Sequence, residues 1–304
     1  MLAGIEKALC ASSKRNVNTG MNAINSLLEG LIDYAGLYPP AALDMRSAVR
    51  NYLSYSQSAH AATLGRFVLN MERLSELREA AGDSLRSMKL SVIASPNADC
   101  AGLSQLLSDG STVDMIEFKT DQPPEIRHLS RSIPAGMTAY FEIPICGDAS
   151  AALEAIAAAG ARAKLRMGGV VAEAFPGTQV VAKMLHALAV RRIPFKATAG
   201  LHHPIRSWHP FTAERDGAAG MMHGFVNLCC AAALLHFGGE AGEARRVLDE
   251  EDPCAWQVAQ DAIDWRSYHW STEQLRAVRR QFLISFGSCS FVEPMHDLEA
   301  LGWL

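Results

Sequence analysis

Short β-rich runs alternate with helical patterns along most of the chain. The predicted strands cover 31–34, 64–69, 89–94, 113–119, 138–143, 162–167 and 194–199. Strands that alternate with helices are typical of βαβ units, in which parallel strands form a sheet and the helices cover it. Seven or eight such units in a chain of 304 residues predict an α/β fold of the (β/α)8 TIM-barrel type.

An open, doubly wound sheet is the main alternative, because it is assembled from the same units. Rossmann folds of that kind carry a glycine-rich fingerprint directly after the first strand. Here the first predicted strand runs into Gly36-Leu-Tyr-Pro-Pro40, which lacks that spacing of glycines. The sequence therefore favours the barrel.

The last β-α unit has two interpretations. Residues 281–286 read as the eighth strand, or as a continuation of the helix that starts near Thr272. A loop at 287–290 and a closing helix over 293–301 follow. A long apolar helix is predicted for 220–237.

The barrel domain is predicted to span 21–304 as a single unit. Residues 240–271 are expected to be an insertion before the last strand, with a helix and a small hairpin around Trp265. Residues 1–20 are polar and weakly patterned, which indicates either a disordered N-terminal extension or a natural start at Met21.

Composition narrows the partners and the compartment. The net charge of −4 gives no electrostatic reason to bind nucleic acid or an anionic membrane surface. The longest apolar stretch, 224–237, is too short to span a bilayer and contains Asn227 and His236. Seven cysteines without a framework spacing favour reduced thiols in a cytoplasmic protein.

Charged residues recur at alternate positions of the predicted strands. Lys164 and Arg166 share one face of the sixth strand, and Lys196 and Thr198 share one face of the seventh. The outer face of a barrel strand meets helices and is apolar, so the charged face is expected to point inward. The other members of this inward set are Asp33 on the first strand, Arg66 on the second, Glu117 and Lys119 on the fourth, and Glu142 on the fifth.

Buried charges are costly and need partners, so this set has two interpretations. It can be a paired salt-bridge layer that only fills the barrel. Alternatively, it lies toward the carboxyl ends of the strands, where barrel active sites form. Basic residues outnumber acidic ones in the set, which favours a small anionic substrate that carries a carboxylate or phosphate.

The two lysines lie on adjacent predicted strands, which are about 4.8 Å apart. Like charge and burial both lower the pKa of a lysine, so Lys164 and Lys196 are expected to lower each other's pKa. A free amine near neutral pH can attack a carbonyl and form a Schiff base. Glu142 or Glu117 would then transfer protons.

Four segments resemble motifs of the deoxyribose-phosphate aldolases, which are class I aldolases on a (β/α)8 barrel. Lys164-x-x-x-Gly168 resembles their sixth-strand Lys-Thr-Ser-Thr-Gly, and Lys196-Ala-Thr-Ala-Gly200 resembles their seventh-strand Lys-Ala-Ser-Gly-Gly. Val113-Asp-Met-Ile116 is similar to their Val-Asp-Met-Val segment, and Gly287-Ser-Cys-Ser290 to their Gly-Thr-Ser-Ser phosphate loop. The four segments occur in the same order.

The resemblance implies roles for particular residues. Lys164 would form the Schiff base, Lys196 would tune it, and Asp114 would join the proton relay. Strand alternation places Asp114 and Glu117 on opposite faces of the strand, so both point inward only if the strand bulges. With the inward charges, the residues expected to contact substrate are Asp33, Arg66, Lys119, Arg166, Gly168, Gly169, Thr198, Gly200, His202, Gly287, Ser288 and Ser290.

Two further segments are similar to hallmarks of a bacterial protein family without an assigned activity. They are Asp33-Tyr-Ala-Gly-Leu-Tyr-Pro-Pro40 and Phe286-Gly-Ser-Cys-Ser-Phe291. This second resemblance implies no reaction.

Four histidines follow the seventh predicted strand, at His202, His203, His209 and His223. With Asp33 or Glu142 they would offer metal ligands, but their spacing is not a recognised ligand pattern. The sequence therefore predicts no metal and no cofactor. The favoured interpretations of these histidines are an anion-binding His202 or solvated loop side chains.

Cys289 also has two interpretations. It stands between two serines in a glycine-containing loop, where it is either a nucleophile or a small residue packed into a tight turn.

Three functions fit these observations. The first is a barrel enzyme with aldolase or lyase chemistry on a small anionic carbonyl compound. The second is a barrel enzyme of the phosphoribosyl-transfer type that binds a phosphate, and the third is a non-catalytic protein that binds an anion. The sequence leaves a homo-oligomer open.

Overall fold

Eight parallel strands close into a barrel in the computed structural model, which describes residues 22–98, 112–212 and 217–304. Strands are numbered in chain order. The barrel strands are β1 (Ile32–Tyr34), β2 (Leu64–Asn70), β3 (Lys89–Ala94), β4 (Thr112–Lys119), β5 (Thr138–Ile143), β6 (Arg162–Arg166), β7 (Phe195–Thr198) and β13 (Leu283–Ser288). Strand β1 pairs with both β2 and β13, which closes the sheet. The predicted barrel is confirmed, and the open sheet is excluded.

Helices surround the barrel and bury their apolar faces against it. In the described part they span Ala23–Leu28, Met45–Tyr55, Leu74–Ala81, Pro123–Ser132, Ser150–Ala158, Thr178–Val190, Phe225–His236, Ala241–Asp249, Thr272–Gln281 and Val292–Ala300. None of the described helices is both long and apolar enough to cross a bilayer. The sequence pattern also predicts a helix near 99–107; this segment and the predicted extension 1–20 lie outside the described residues.

The eighth barrel strand begins where helix Thr272–Gln281 ends, which decides between the two interpretations of this segment. Ser271 and Gln274 form a capping box at the start of that helix. At its other end, the buried guanidinium of Arg279 donates to the backbone oxygens of Leu27, at 2.8 Å, and of Leu283. This side chain holds the start of β13 against the first helix.

The prediction of one helix over 220–237 is wrong at its start. Residues Ala219–Met222 form strand β9, which pairs with β8 (Ser207–Pro210) in an antiparallel hairpin. A Cβ at Gly220 would lie 2.6 Å from the ring of Phe211, so this strand needs a glycine. The helix starts only at Phe225.

The insertion before the last strand is more extensive than predicted. After helix Ala241–Asp249, strands β10 (Trp256–Val258), β11 (Ala262–Trp265) and β12 (Tyr268–Ser271) form an antiparallel sheet. The hairpin around Trp265 is therefore two strands of a three-stranded sheet. Its aromatic side chains stack on one another, with 5.5 Å between the ring centroids of Trp265 and Tyr268.

The loops that follow β6 and β7 touch each other at two glycines. Gly200 has a φ of +69°, and a Cβ there would lie 2.8 Å from the Cα of Gly168 and 2.7 Å from the ring of Phe175. Any side chain would push the two loops apart. Both glycines therefore have a packing role, whatever ligand the loops bind.

Replacing this glycine tests that packing. We expect Gly160→Ala, at a φ of +62° with open space around it, to cost about 1 kcal/mol of unfolding free energy from backbone strain. Gly200→Ala adds the steric clash and is expected to cost roughly 1–3 kcal/mol more. Urea unfolding of the two variants measures the difference, and equal losses would contradict the packing role.

Candidate functional site

A buried ammonium group lies at the centre of the barrel. The Nζ atom of Lys196 on β7 lies 2.6 Å from Oδ2 of Asp33 on β1 and 2.7 Å from Oε1 of Glu117 on β4. All three side chains are at most 2% exposed. A charge at this depth is tolerated because two carboxylates compensate it.

Lys164 lies next to this group and shares a partner with it. Its Nζ atom lies 2.7 Å from Oε2 of Glu117 and 2.9 Å from Oε2 of Glu142. Glu117 therefore binds one lysine with each of its oxygens. Glu142 in turn accepts a hydrogen bond from Nε of Arg166 at 3.0 Å, and the Arg166 side chain is 51% exposed.

The register of the strands explains why these side chains meet. Lys164 is paired with Lys196 across β6 and β7, and with Glu142 across β5 and β6. In parallel strands, residues paired in this way have side chains on the same face. The lysines were predicted to point inward from adjacent strands, and they do.

Two serine hydroxyls that the sequence analysis did not select complete the network. Ser91 donates to Oε1 of Glu117 at 2.6 Å, and Ser285 donates to Oδ2 of Asp33 at 2.6 Å. Each serine occupies an inward position between two apolar neighbours on its strand, which is the signal that was available in the sequence.

The charges alternate in sign from one side of the barrel to the other. Starting at the end that carries Asp114, the order is Asp114, Arg66, Asp33, Lys196, Glu117, Lys164, Glu142 and Arg166. These are four acids and four bases, so the network is formally neutral. Lys119 is the one residue of the predicted basic set that is not part of this neutral network, and it is exposed.

The expectation that the lysines lower each other's pKa is wrong for Lys196. Burial alone lowers the pKa of Lys196, but Asp33 and Glu117 outweigh it and raise that pKa above its usual value. Burial alone raises the pKa of Glu117, and Lys164 and Lys196 outweigh it, so that pKa lies well below its usual range. The prediction considered the two lysines without the carboxylates between them.

Arg66 and Asp114 lie at the amino end of the barrel, away from the predicted location. Each is the third residue of its strand, and Arg66 donates to Asp114 through Nε and Nη2. Strand β4 bulges here, because Leu90 pairs with Val113 while Ser91 pairs with Met115. The bulge lets Asp114 and Glu117 both contact basic members of the network. Asp114 contacts Arg66 and not Lys164, so a role in a relay at Lys164 has no contact to support it.

The loops at the opposite, carboxyl end bring the predicted glycine and serine residues together. Ala199 donates to the backbone oxygen of Gly287 at 3.4 Å, which joins the loops after β7 and β13. Ser290 accepts from the backbone N–H of Glu293, in the first turn of the last helix, at 3.2 Å. The hydroxyl of Ser288 accepts from the N–H of Ser290 at 3.3 Å. Thr198 and Gly169 also lie at this end.

Two of the four histidines bind acids on the last helix, instead of Asp33 or Glu142, while His209 bonds Ser207 and His223 bonds the backbone oxygen of Pro176. His202 Nδ1 lies 2.8 Å from Glu293, and His203 Nδ1 lies 2.6 Å from Asp297. His203 also stacks on His209, with 3.3 Å between ring centroids. The two acids were missed, although their i, i+4 spacing places them on one helix face.

Comparisons with known proteins give little further information. No family model and no curated protein matches this chain. One solved structure that it resembles is that of a FabK mutant from Thermotoga maritima, with 18% sequence identity and a TM-score of 0.36. The match covers 60% of this chain and 58% of that protein, so the chain spans less than two thirds of the length of this neighbour. No functional conclusion follows from a likeness at this level.

Neutralising the shared carboxylate tests the buried network. We expect Glu117→Gln to lower the free energy of unfolding at pH 7 by about 3–5 kcal/mol, because two buried lysines lose a partner. The folded-state pKa of Glu117 is lowered, so its contribution is complete above the unfolded value of about 4.3 and is lost as the pH falls below it.

The difference in unfolding free energy between Glu117→Gln and the wild type is therefore expected to become smaller in acid. Denaturant unfolding measures this difference in unfolding free energy. The measurements run from pH 3 to pH 7, on either side of the unfolded pKa of about 4.3. Glu76→Gln is the control, because Glu76 pairs with Arg73 on the surface and its loss should change stability little. A Glu117→Gln variant as stable as the control at pH 7 would contradict the network.

Proposed function

We propose that this protein is a barrel enzyme that forms a Schiff base between Lys164 and a small anionic carbonyl compound. The observation that carries the proposal is the position of Lys164 between two carboxylates. Lys196 is held by Asp33 and Glu117 deep in the barrel, whereas Lys164 also reaches Glu142, whose side chain is 10% exposed. Barrel enzymes carry their active sites at the carboxyl ends of the strands, and Glu142 and Arg166 lie toward that end.

The proposed chemistry needs a proton acceptor and a proton donor, and Glu142 serves as both. It takes a proton from the Lys164 ammonium, and the resulting amine attacks the carbonyl carbon of the substrate. The carbonyl oxygen then receives one proton from the attacking nitrogen and the proton that Glu142 took from the ammonium, and it leaves as water, which gives a protonated imine. The positive charge of the imine draws electrons from the neighbouring carbon, so that a bond at that carbon can break, as in aldolase or lyase reactions.

Lys196 supports this chemistry without reacting. Its raised pKa keeps it charged, and it holds one oxygen of Glu117 while the other oxygen faces Lys164. Glu117 thus presents a fixed negative charge behind the amine. That charge stabilises the protonated imine relative to its neutral form.

Exposed basic groups would recognise the anionic part of the substrate. Arg166 retains a half-exposed guanidinium although it binds Glu142, and Lys119 is exposed at the end of β4. Both lie at the carboxyl end, in the same region as the loops after β7 and β13. An arginine suits the planar geometry of a carboxylate or phosphate.

A phosphate-binding barrel of the phosphoribosyl-transfer type is the second candidate. It is favoured by the loops after β7 and β13, which contain Gly200, Gly287 and Ser288, because barrel enzymes commonly bind phosphate at their last two strands. A non-catalytic protein that binds an anion would use the same groups without an imine. Trapping of the imine separates the first proposal from both.

Borohydride reduction tests the Schiff base. We expect a panel of small aldehydes and ketones with a carboxylate or phosphate to include a compound that leaves a stable secondary amine on Lys164 after reduction. Peptide mass spectrometry locates the adduct. Lys164→Met should abolish it, and Lys183→Met, which removes an exposed helical lysine, should retain it.

Two outcomes would contradict the proposal. One is the absence of an adduct across the panel, with calorimetry showing that members of the panel bind. The other is an adduct that persists in Lys164→Met. Circular dichroism of that variant establishes that it is folded, and Lys164→Arg, which keeps the positive charge, serves as a second variant.

A further inference from the structure

A second group of reactive side chains lies at the carboxyl end of the barrel, outside the ion network. Cys289 follows β13, and His202 follows β7. These two strands are neighbours, with Gly287 paired with Thr198, so their loops meet. Glu293 comes from the first turn of helix Val292–Ala300, directly after the cysteine loop.

The three side chains form a continuous line of contacts. The Sγ atom of Cys289 lies 3.9 Å from Nε2 of His202, and Nδ1 of the same ring lies 2.8 Å from Oε2 of Glu293. The imidazole is therefore held between a thiol and a carboxylate. The Glu293 side chain is 45% exposed and that of His202 is 12% exposed, so reagents can approach the group.

This order of groups is the order that activates a nucleophile. A carboxylate that accepts from Nδ1–H fixes the imidazole tautomer and leaves Nε2 facing the thiol. Burial alone lowers the pKa of His202, but Cys289 and Glu293 outweigh it and raise that pKa to about 9. The surroundings thus stabilise the imidazolium that forms when the ring takes the thiol proton.

We propose that Cys289, His202 and Glu293 form a nucleophilic thiol site that accepts acyl groups from activated esters or thioesters. This inference goes beyond the proposed function and uses neither Lys164 nor Lys196. Both centres open at the same end of the barrel, but each reacts through its own atom.

The acyl transfer proceeds in two balanced steps. The thiol proton moves to Nε2 of His202, Sγ bonds to the acyl carbon, and the leaving alkoxide or thiolate departs with that proton. Water then attacks the acyl-cysteine while Nε2 takes a proton from it. The C–S bond breaks, and the sulfur recovers the proton as the acid is released.

Three of the other described cysteines have different surroundings. Cys229 and Cys230 are fully buried in helix Phe225–His236, and burial raises the pKa of both thiols. Cys146 is exposed and serves as the internal reference for an accessible thiol.

Site-resolved labelling of the full chain tests the proposal. We expect iodoacetamide at pH 7 to alkylate Cys289 faster than Cys146, and p-nitrophenyl acetate to leave an acetyl group on Cys289, as seen by peptide mass spectrometry. His202→Gln is expected to slow acetylation about 100-fold, the usual contribution of a general base. Glu293→Gln should also slow the acetylation of Cys289.

The neighbouring acid provides a matched control. Asp297 lies on the same helix and binds His203 as Glu293 binds His202, so Asp297→Asn should leave labelling of Cys289 unchanged. Near-UV circular dichroism shows whether each variant is folded. The proposal is overturned if Cys289 reacts no faster than Cys146, if no acetyl group is transferred, or if His202→Gln has no effect. Imine trapping on Lys164 is read out separately, so either proposal can fail alone.

Discussion

The buried ammonium of Lys196 is the interaction on which the rest of the barrel interior depends. Because it lies far from water, it requires both Asp33 and Glu117, which come from strands on other sides of the barrel. Asp33 also accepts from Ser285 and from the backbone N–H of Arg66. One charge on β7 thus binds β1 and β4 directly, and β2 and β13 through Asp33.

The two proposed reactive centres differ in how they relate to this network. Lys164 belongs to it and shares Glu117 with Lys196, so its reactivity depends on the charges behind it. The thiol site stands on loops and on the last helix, where side chains are partly exposed. The barrel brings both to one end because the carboxyl ends of parallel strands meet there. In the same region, Lys119 is the exposed basic group that the neutral network does not include.

The sequence predicts the barrel because alternation of strands and helices is a local property that periodicity reveals. Strand alternation also selects Lys164, Lys196 and Glu142 as inward residues. It does not reveal their partners, since the order of charges depends on register across strands far apart in the chain. The bulge at Asp114 is likewise a feature of strand pairing. Glu293 was missed because its histidine lies 91 residues away.

The charge state of Lys196 tests the central claim most directly. Nitrogen NMR of protein labelled with 15N-lysine reports whether each Nζ is an ammonium or an amine, and Lys196→Met assigns the signal. The network predicts that Lys196 remains an ammonium above about pH 10.4, the ordinary lysine pKa, with slow proton exchange. An amine signal from Lys196 at neutral pH would contradict the account, because Lys196 would then form no ion pairs with Asp33 and Glu117.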